Sequence, residues 1–372
     1  MKKSLLALAA LTAFAGAASA QSSVTLFGII DVNVRGVDNG NGGRTSVSTD
    51  GNSSSRLGFR GIEDLGGGLR AGFWIEGAFA ADTGSALSTT TSCQPPVGTA
   101  PPVCTTTAAG GQTWQRRATV SLLGGFGEVR LGRDYTPTFW NHTVFDPFGT
   151  NGVGNQLNLM TQQGFANPNN MAAGTLVRAN NTVGYFLPAM GGLYGQLMWT
   201  PSEGTVGNEY IGGRIGYAAG PFNVAFAYGE TKHALGASSD DKLEAYNMGA
   251  SWNLGFMTLM GQYHNYSVAS RETENYLIGM TMPMGPGTLK ASYAMTSLDS
   301  GLASLPSGDA QQLAVGYVYD LSKRTAIYAH YSIIDNDSGL RYTVVGSSND
   351  GKTNGAGGFQ SQGMELGIRH SF

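Results

Sequence analysis

The sequence predicts an all-β protein, a transmembrane antiparallel β-barrel of sixteen strands, and three observations predict it. The chain opens with a leader of the export type. Sixteen later segments alternate apolar and polar residues. The last of these segments ends the chain on an aromatic residue, Phe372.

Lys2 and Lys3 supply a positive start, Leu5 to Phe14 a short apolar stretch, and Ala18-Ser19-Ala20 a small-residue cleavage site. Residues 1–20 therefore read as a cleaved signal peptide, and residues 21–372 as one domain starting at Gln21. The apolar stretch is too short to span a bilayer as a helix, and no later run reaches that length. A membrane location then requires a closed barrel, which satisfies every backbone group without helices.

Composition narrows the class. Charged residues make up 13% of the chain, about half the usual share of soluble domains. Glycine, at 56 of 372 residues, is about twice its usual frequency. Loss of Lys2 and Lys3 takes the formal charge from −3 to −5, which argues against nucleic acid as a partner. Composition alone would also suit a secreted β-protein.

The strands are expected near residues 24–35, 53–63, 69–79, 115–123, 128–134, 175–188, 193–201 and 210–218. Eight more are expected near 222–232, 242–252, 257–268, 271–282, 287–297, 309–319, 325–335 and 362–372. Seven Gly- and Pro-rich connections, from Glu63–Gly68 to Asp320–Lys323, are short enough for one rim. These are the expected periplasmic turns. The alternate connections are longer and polar, as expected of extracellular loops.

Parity assigns faces. Leu57 and Phe59 oppose Arg56 and Arg60. Leu69, Ala71, Phe73 and Ile75 oppose Arg70, Trp74 and Glu76. Ala118, Val120 and Leu122 oppose Arg117. Val129 and Leu131 oppose Glu128 and Arg130, and Val183, Tyr185 and Leu187 oppose Arg178. Met364, Leu366, Ile368 and Phe372 share one face of the final strand. In a soluble sandwich the apolar face would be the core, and in a barrel it would meet lipid. Periodicity does not separate the two, and the phase of 325–335 is open. Cys93 and Cys104, in an exported chain, are expected to form a disulfide. It would staple one loop with on the order of 3 kcal/mol of chain-entropy stabilisation.

Several segments together resemble the general porins of betaproteobacterial outer membranes. They are Ser23-Val24-Thr25-Leu26-Phe27-Gly28, Ser55-Arg56-Leu57-Gly58-Phe59-Arg60-Gly61 with its continuation to Gly66, and Gly127-Glu128-Val129-Arg130-Leu131-Gly132-Arg133. Asn181-Thr182-Val183-Gly184-Tyr185, Leu321-Ser322-Lys323-Arg324-Thr325 and the ending Gly367-Ile368-Arg369-His370-Ser371-Phe372 complete the set. The Cys-bearing segment and the long last loop depart from the family pattern.

The resemblance implies a homotrimer in the outer membrane of a Gram-negative cell. It also implies contact with lipid and lipopolysaccharide, and recognition by the barrel-assembly machinery through the C-terminal strand ending in Phe372. The function implied is passive diffusion of ions and small hydrophilic solutes through a water-filled pore. A third loop, here about Asp134 to Gly174, is expected to fold into the pore and narrow it. Arg56, Arg60, Arg117, Arg130 and Arg178 are expected to form a basic wall at the constriction, with the loop acids Asp134 and Asp146 opposite. Opposed charges across a narrow gap create a transverse field, and a mild anion preference is expected. A sugar- or carboxylate-specific channel is the alternative, for which Trp74 is the main inward aromatic.

Other motifs fit less well. Gly346 to Thr353 matches a phosphate-loop pattern, but Asn354-Gly355-Ala356-Gly357-Gly358 cannot start the required helix. Asp335 to Gly339 begins like a calcium loop and lacks the glutamate at the twelfth position. His142, His233, His264, His330 and His370 have no metal-ligand spacing. No catalytic group, metal or cofactor is expected; a barrel enzyme and a non-conducting adhesin are weaker alternatives.

Overall fold

The computed structural model describes residues 23–40, 42–86, 89–94, 103–108, 113–160, 175–203, 209–232, 242–301, 307–345 and 357–372. The signal peptide 1–20, the phosphate-loop-like segment 346–353 and His233 lie outside these residues.

Sixteen antiparallel strands close into one barrel. They are β1 Ser23–Asp38, β2 Arg56–Gly66, β3 Leu69–Ala78, β4 Arg117–Gly124, β5 Gly127–Tyr135, β6 Arg178–Phe186, β7 Leu193–Thr200 and β8 Tyr210–Ala219. The second half comprises β9 Phe222–Lys232, β10 Lys242–Asn253, β11 Thr258–Val268, β12 Arg271–Met284, β13 Gly287–Asp299, β14 Gly308–Asp320, β15 Thr325–Asn336 and β16 Gln360–Ser371. Every sequence-predicted strand has its counterpart, and the seven tight connections are the seven expected turns. In the first of them, Gly66, Gly67 and Gly68 all take positive φ, a conformation glycine adopts without a Cβ penalty.

Closure is made by β1. Its lower half pairs with β2 from Ser23↔Ile62 to Ile29↔Arg56, and its upper half pairs with β16 from Ile29↔Ser371 to Asp38↔Gln362. A short strand, Gly43–Thr49, also flanks the upper half of β1. Thr89–Gln94 and Val103–Ala108 form a separate two-stranded ribbon in the second long loop. There Cys93 and Cys104 are direct register partners; their side chains lie outside the described ones.

The faces settle what periodicity left open. Ile278, Val24, Leu197 and Leu366 point outward with more than 60% of their surface exposed, whereas Asp31, Asn275 and Thr296 point inward and are fully buried. A water-soluble sandwich would bury the first set and expose the second. An apolar exterior around a polar interior is the pattern of a barrel in lipid. The open phase of β15 resolves with Tyr328, His330 and Ser332 inward and Ile327 and Tyr331 outward. Asp335 to Gly339, at its upper end, is occupied internally: the Asp337 carboxylate accepts the Asp309 N–H and Asn336 bonds both Tyr342 and Phe359.

Phe372 completes the seam. Its N–H donates to Gly28 O at 3.1 Å and its carbonyl accepts the Gly28 N–H at 3.2 Å, while its ring lies over the lipid side of Gly28. A Cβ on Gly28 would meet that ring and stand 2.8 Å from Arg56 O. Gly28→Leu is therefore expected to expel the ring from its seat against the β1 backbone and lower the yield of refolded barrel. Heat-modifiable gel mobility measures that yield, and an unchanged yield would show that the ring plays no part in closure.

Candidate functional site

The third long loop leaves β5 and enters the barrel. Pro137 starts a helix, α1 (Pro137–Phe145), where its fixed φ and missing N–H suit the first turn. α1 lies on the inner faces of β7 to β11, and a short 3₁₀ turn, Gln156–Leu159, packs on β13 and β14. Glycines of the wall receive the loop's apolar knobs. Phe145 sits on Gly249 of β10, Pro147 on Gly279 of β12, and Phe148 beside Gly316 of β14. Polar bonds add to this seating: Asn141 Nδ2 donates to Asn247 Oδ1 at 2.7 Å, and Arg214 Nε donates to Asn141 Oδ1 at 2.6 Å.

The predicted arginines do come together on the side from which the loop departs, the wall of β2 to β6. Glu76 accepts from Arg56 Nη1 at 3.4 Å, from Arg116 Nε at 2.5 Å and from Trp74 Nε1 at 3.0 Å. The Tyr135 hydroxyl then accepts from Arg116 at 2.8 Å and from Arg178 at 2.7 Å. Arg56, Glu76, Arg116, Tyr135 and Arg178 thus form one continuous hydrogen-bonded chain across the wall. Nearer the periplasmic rim, Arg60 and Arg117 stand over Trp74 at 5.1 and 4.6 Å from the ring centroid. Arg130 bonds Glu128 at 2.8 Å and Asp134 at 2.5 Å and lies over the Phe186 ring.

Two placements correct the sequence reading. Asp134 was expected in the loop, facing the arginines. It belongs to β5 and sits among them, paired with Arg130 and 3.7 Å from Arg117. Asp146 is in the loop but does not face the wall. Its carboxylate accepts the N–H groups of Phe148 at 2.8 Å and Gln156 at 2.9 Å, holding the loop's own turn together. Burial pushes its pKa up to about 6, against the help of those donors and of Lys290. Besides Asp146, the one ionisable side chain between Thr136 and Val177 is His142, neutral at pH 7, so the opposed-charge field is absent in the predicted form. The carboxylates that moderate the arginines, Glu76, Glu128 and Asp134, lie within the wall itself.

Sequence reasoning missed Arg116. The strand was expected to start at 115, which put Arg116 on the outward parity. It stands just before β4, where parity does not apply, and it turns inward to Glu76. Arg35, Arg214 and Lys290 are further inward bases outside the predicted set.

A lumen of this kind, with a loop seated inside it, is the architecture of a diffusion channel. Residues 7–339 match the family described as Gram-negative porin. The chain belongs to that family. Outer membrane porin protein 32 of Delftia acidovorans is 37% identical, with all of both chains covered. The major outer membrane protein P.IB of Neisseria meningitidis is 26% identical over the whole of both chains. Among solved structures, the anion-selective porin from Comamonas acidovorans superimposes with a TM-score of 0.76 at 34% identity, covering 95% of this chain and all of that one. A trimer form of OmpT from Vibrio cholerae shares the fold, with a TM-score of 0.65 at 13% identity over 94% of this chain and 99% of that one. This porin is accordingly an outer-membrane, multi-pass β-barrel, and its relatives are channels.

Proposed function

We propose that the chain forms a homotrimeric general diffusion pore for ions and small hydrophilic solutes, with a mild preference for anions. The observation that carries this reading is the wall of β2 to β6. There six guanidiniums, Arg56, Arg60, Arg116, Arg117, Arg130 and Arg178, face three carboxylates, Glu76, Glu128 and Asp134. The excess positive charge lines a water-filled passage that the third loop narrows from the other side. Charge of one sign with low-dielectric walls raises the local concentration of counter-ions. The negative formal charge of the chain does not oppose this, because acids such as Glu203, Glu244 and Glu274 lie in a loop or on the outward parity of their strands. The solved relative named as anion-selective supports the preference, and the trimer form of another supports the oligomer.

Three further roles belong to the same proposal. The leader 1–20 directs export, Phe372 marks the strand recognised during assembly, and Cys93 and Cys104 close a disulfide in the second loop.

Planar-bilayer recording of the refolded mature protein under a KCl gradient tests the pore. Conductance steps in threes and a reversal potential toward Cl⁻ are expected. Arg56→Ser, Arg116→Ser and Arg178→Ser should each move that potential toward zero. A potential favouring K⁺ in the unmutated protein would overturn the anion preference, and folded protein without conductance would overturn the pore.

A further inference from the structure

The loop's helix is fastened to the wall by two stacked imidazoles. His142 of α1 lies parallel to His264 of β11, with ring centroids 3.7 Å apart and an interplanar angle of 8°. His142 Nε2 meets the Tyr266 hydroxyl at 2.5 Å, and His264 Nε2 meets Gln262 Oε1 at 2.5 Å. Both rings are buried, and the Nδ1 atom of each has no hydrogen-bond partner. From these contacts we infer that His142 and His264 form an acid-sensitive latch, closed while both are neutral and released when protons add to them. The inference rests on the third loop being the element that narrows the pore.

The surroundings offer an imidazolium no negative charge: the register partners of His264 on the flanking strands, Asn247 of β10 and Asn275 of β12, are neutral amides. On β11 the stack faces Gln262 and Tyr266, on its own helix Phe139, and from the rest of the loop Leu157, Met160 and Leu176. Tyr210 of β8 is the next titratable group. No carboxylate touches either ring among the described residues. Charged groups along the same elements act elsewhere: Arg214 bonds the neighbouring Asn141, Glu272 accepts from Asn265, and Asp146, beyond the end of α1, serves its own turn. A single added proton therefore sits beside an apolar wall, and a second sits against a like charge. Metal binding is the other use of paired histidines. Rings stacked face to face aim their in-plane lone pairs along separate parallel planes, so this pair cannot chelate one cation as it stands.

The sign follows from linkage. Burial pushes the His142 pKa down to about 3, whereas an imidazole released into water titrates near the ordinary value. The folded value is depressed, so for this base the latch is fully favoured above about pH 6.5. Below that it loses up to about tenfold in closed-to-open ratio per pH unit for each histidine. Two histidines make the dependence steeper than one proton. Asp146 titrates in the opposite sense: its raised pKa favours the native turn as pH falls, so it cannot be the source of an acid release.

Hydrogen exchange of the 138–145 amides, corrected for intrinsic rates, and single-channel conductance are measured together from pH 7.5 to 4 on the refolded barrel. Exchange is expected to accelerate below about pH 6 with a slope greater than one proton, and conductance to become unsteady in step. His264→Phe keeps a ring in the stack and cannot take a proton, so it should reduce the slope of both curves to that of the one remaining proton on His142. His264→Gln, uncharged and still able to hydrogen-bond, is a second variant that should do the same if the phenylalanine variant fails to assemble. An acid transition unchanged in these variants, or absent from the unmutated protein, overturns the latch. Acid-dependent exchange with constant conductance supports the latch and overturns the reading of the loop as the narrowing element.

Discussion

Gly249→Leu is expected to unseat the third loop and enlarge the single-channel conductance. The position is filled: a Cβ on Gly249 would stand 2.6 Å from Phe145 Cγ, and Phe145 is fully buried there. A leucine cannot share that space, so the phenylalanine must leave it. The lost burial of the ring amounts to about 2–3 kcal/mol. That corresponds to about a hundredfold shift in the seated-to-unseated ratio, since each 1.4 kcal/mol is tenfold. The barrel itself should survive, because β10 keeps its ladders to β9 and β11. With the loop displaced, ions pass farther from the arginine wall, so the reversal potential should also move toward zero. Gly261→Leu is the control, since its Cβ would come no closer than 3.7 Å to any neighbour and points to lipid. Equal conductance in Gly249→Leu and Gly261→Leu would show that Phe145 does not hold the loop.

The strands and turns were legible because lipid and lumen impose opposite chemistry on alternate residues. Leu57 and Phe59 against Arg56 and Arg60 declare their faces one by one. The glycine holes were not legible. Gly249, Gly279 and Gly316 carry no side chain to report a face, and their meaning depends on Phe145, Pro147 and Phe148 arriving from far along the chain. The site was readable only in part for a related reason. Parity gave the inward arginines but not their partners, which are set by register: Arg56 lies two strands from Arg116, and Glu76 between them joins the two. Where regular pairing stops, parity loses its hold: Arg116 precedes its strand and was missed. Arg178 lies beyond an irregularity in the β5–β6 ladder, with Asn181 at φ 55, and still faces inward as predicted. Asp134 shows the converse: the resemblance started the third loop at this acid, although its strand runs on to Tyr135.

The largest loss of stability is expected at the seam, from Glu365→Ala. The Glu365 side chain is fully buried on β16 and binds three other parts of the molecule. It accepts from Arg35 of β1 at 3.0 and 3.1 Å, contacts His330 Nδ1 of β15 at 2.9 Å, and accepts the Val153 N–H of the third loop at 3.3 Å. β1 and β16 are the first and last strands, so this carboxylate works where the chain's two ends must meet. Removing it leaves the Arg35 guanidinium, 8% exposed, without the carboxylate it faces. Breaking a buried pair from one side costs about 3–5 kcal/mol, more than deleting the pair with both partners. Glu365→Ala should therefore lower the unfolding midpoint of the barrel in detergent sharply, and Glu365→Gln less, because an amide oxygen can still accept from Val153. Arg35→Met combined with Glu365→Ala should cost less than the two changes added together. Additive losses in that cycle would mean the two side chains act independently, and the seam would then rest on the backbone ladder between β1 and β16 alone.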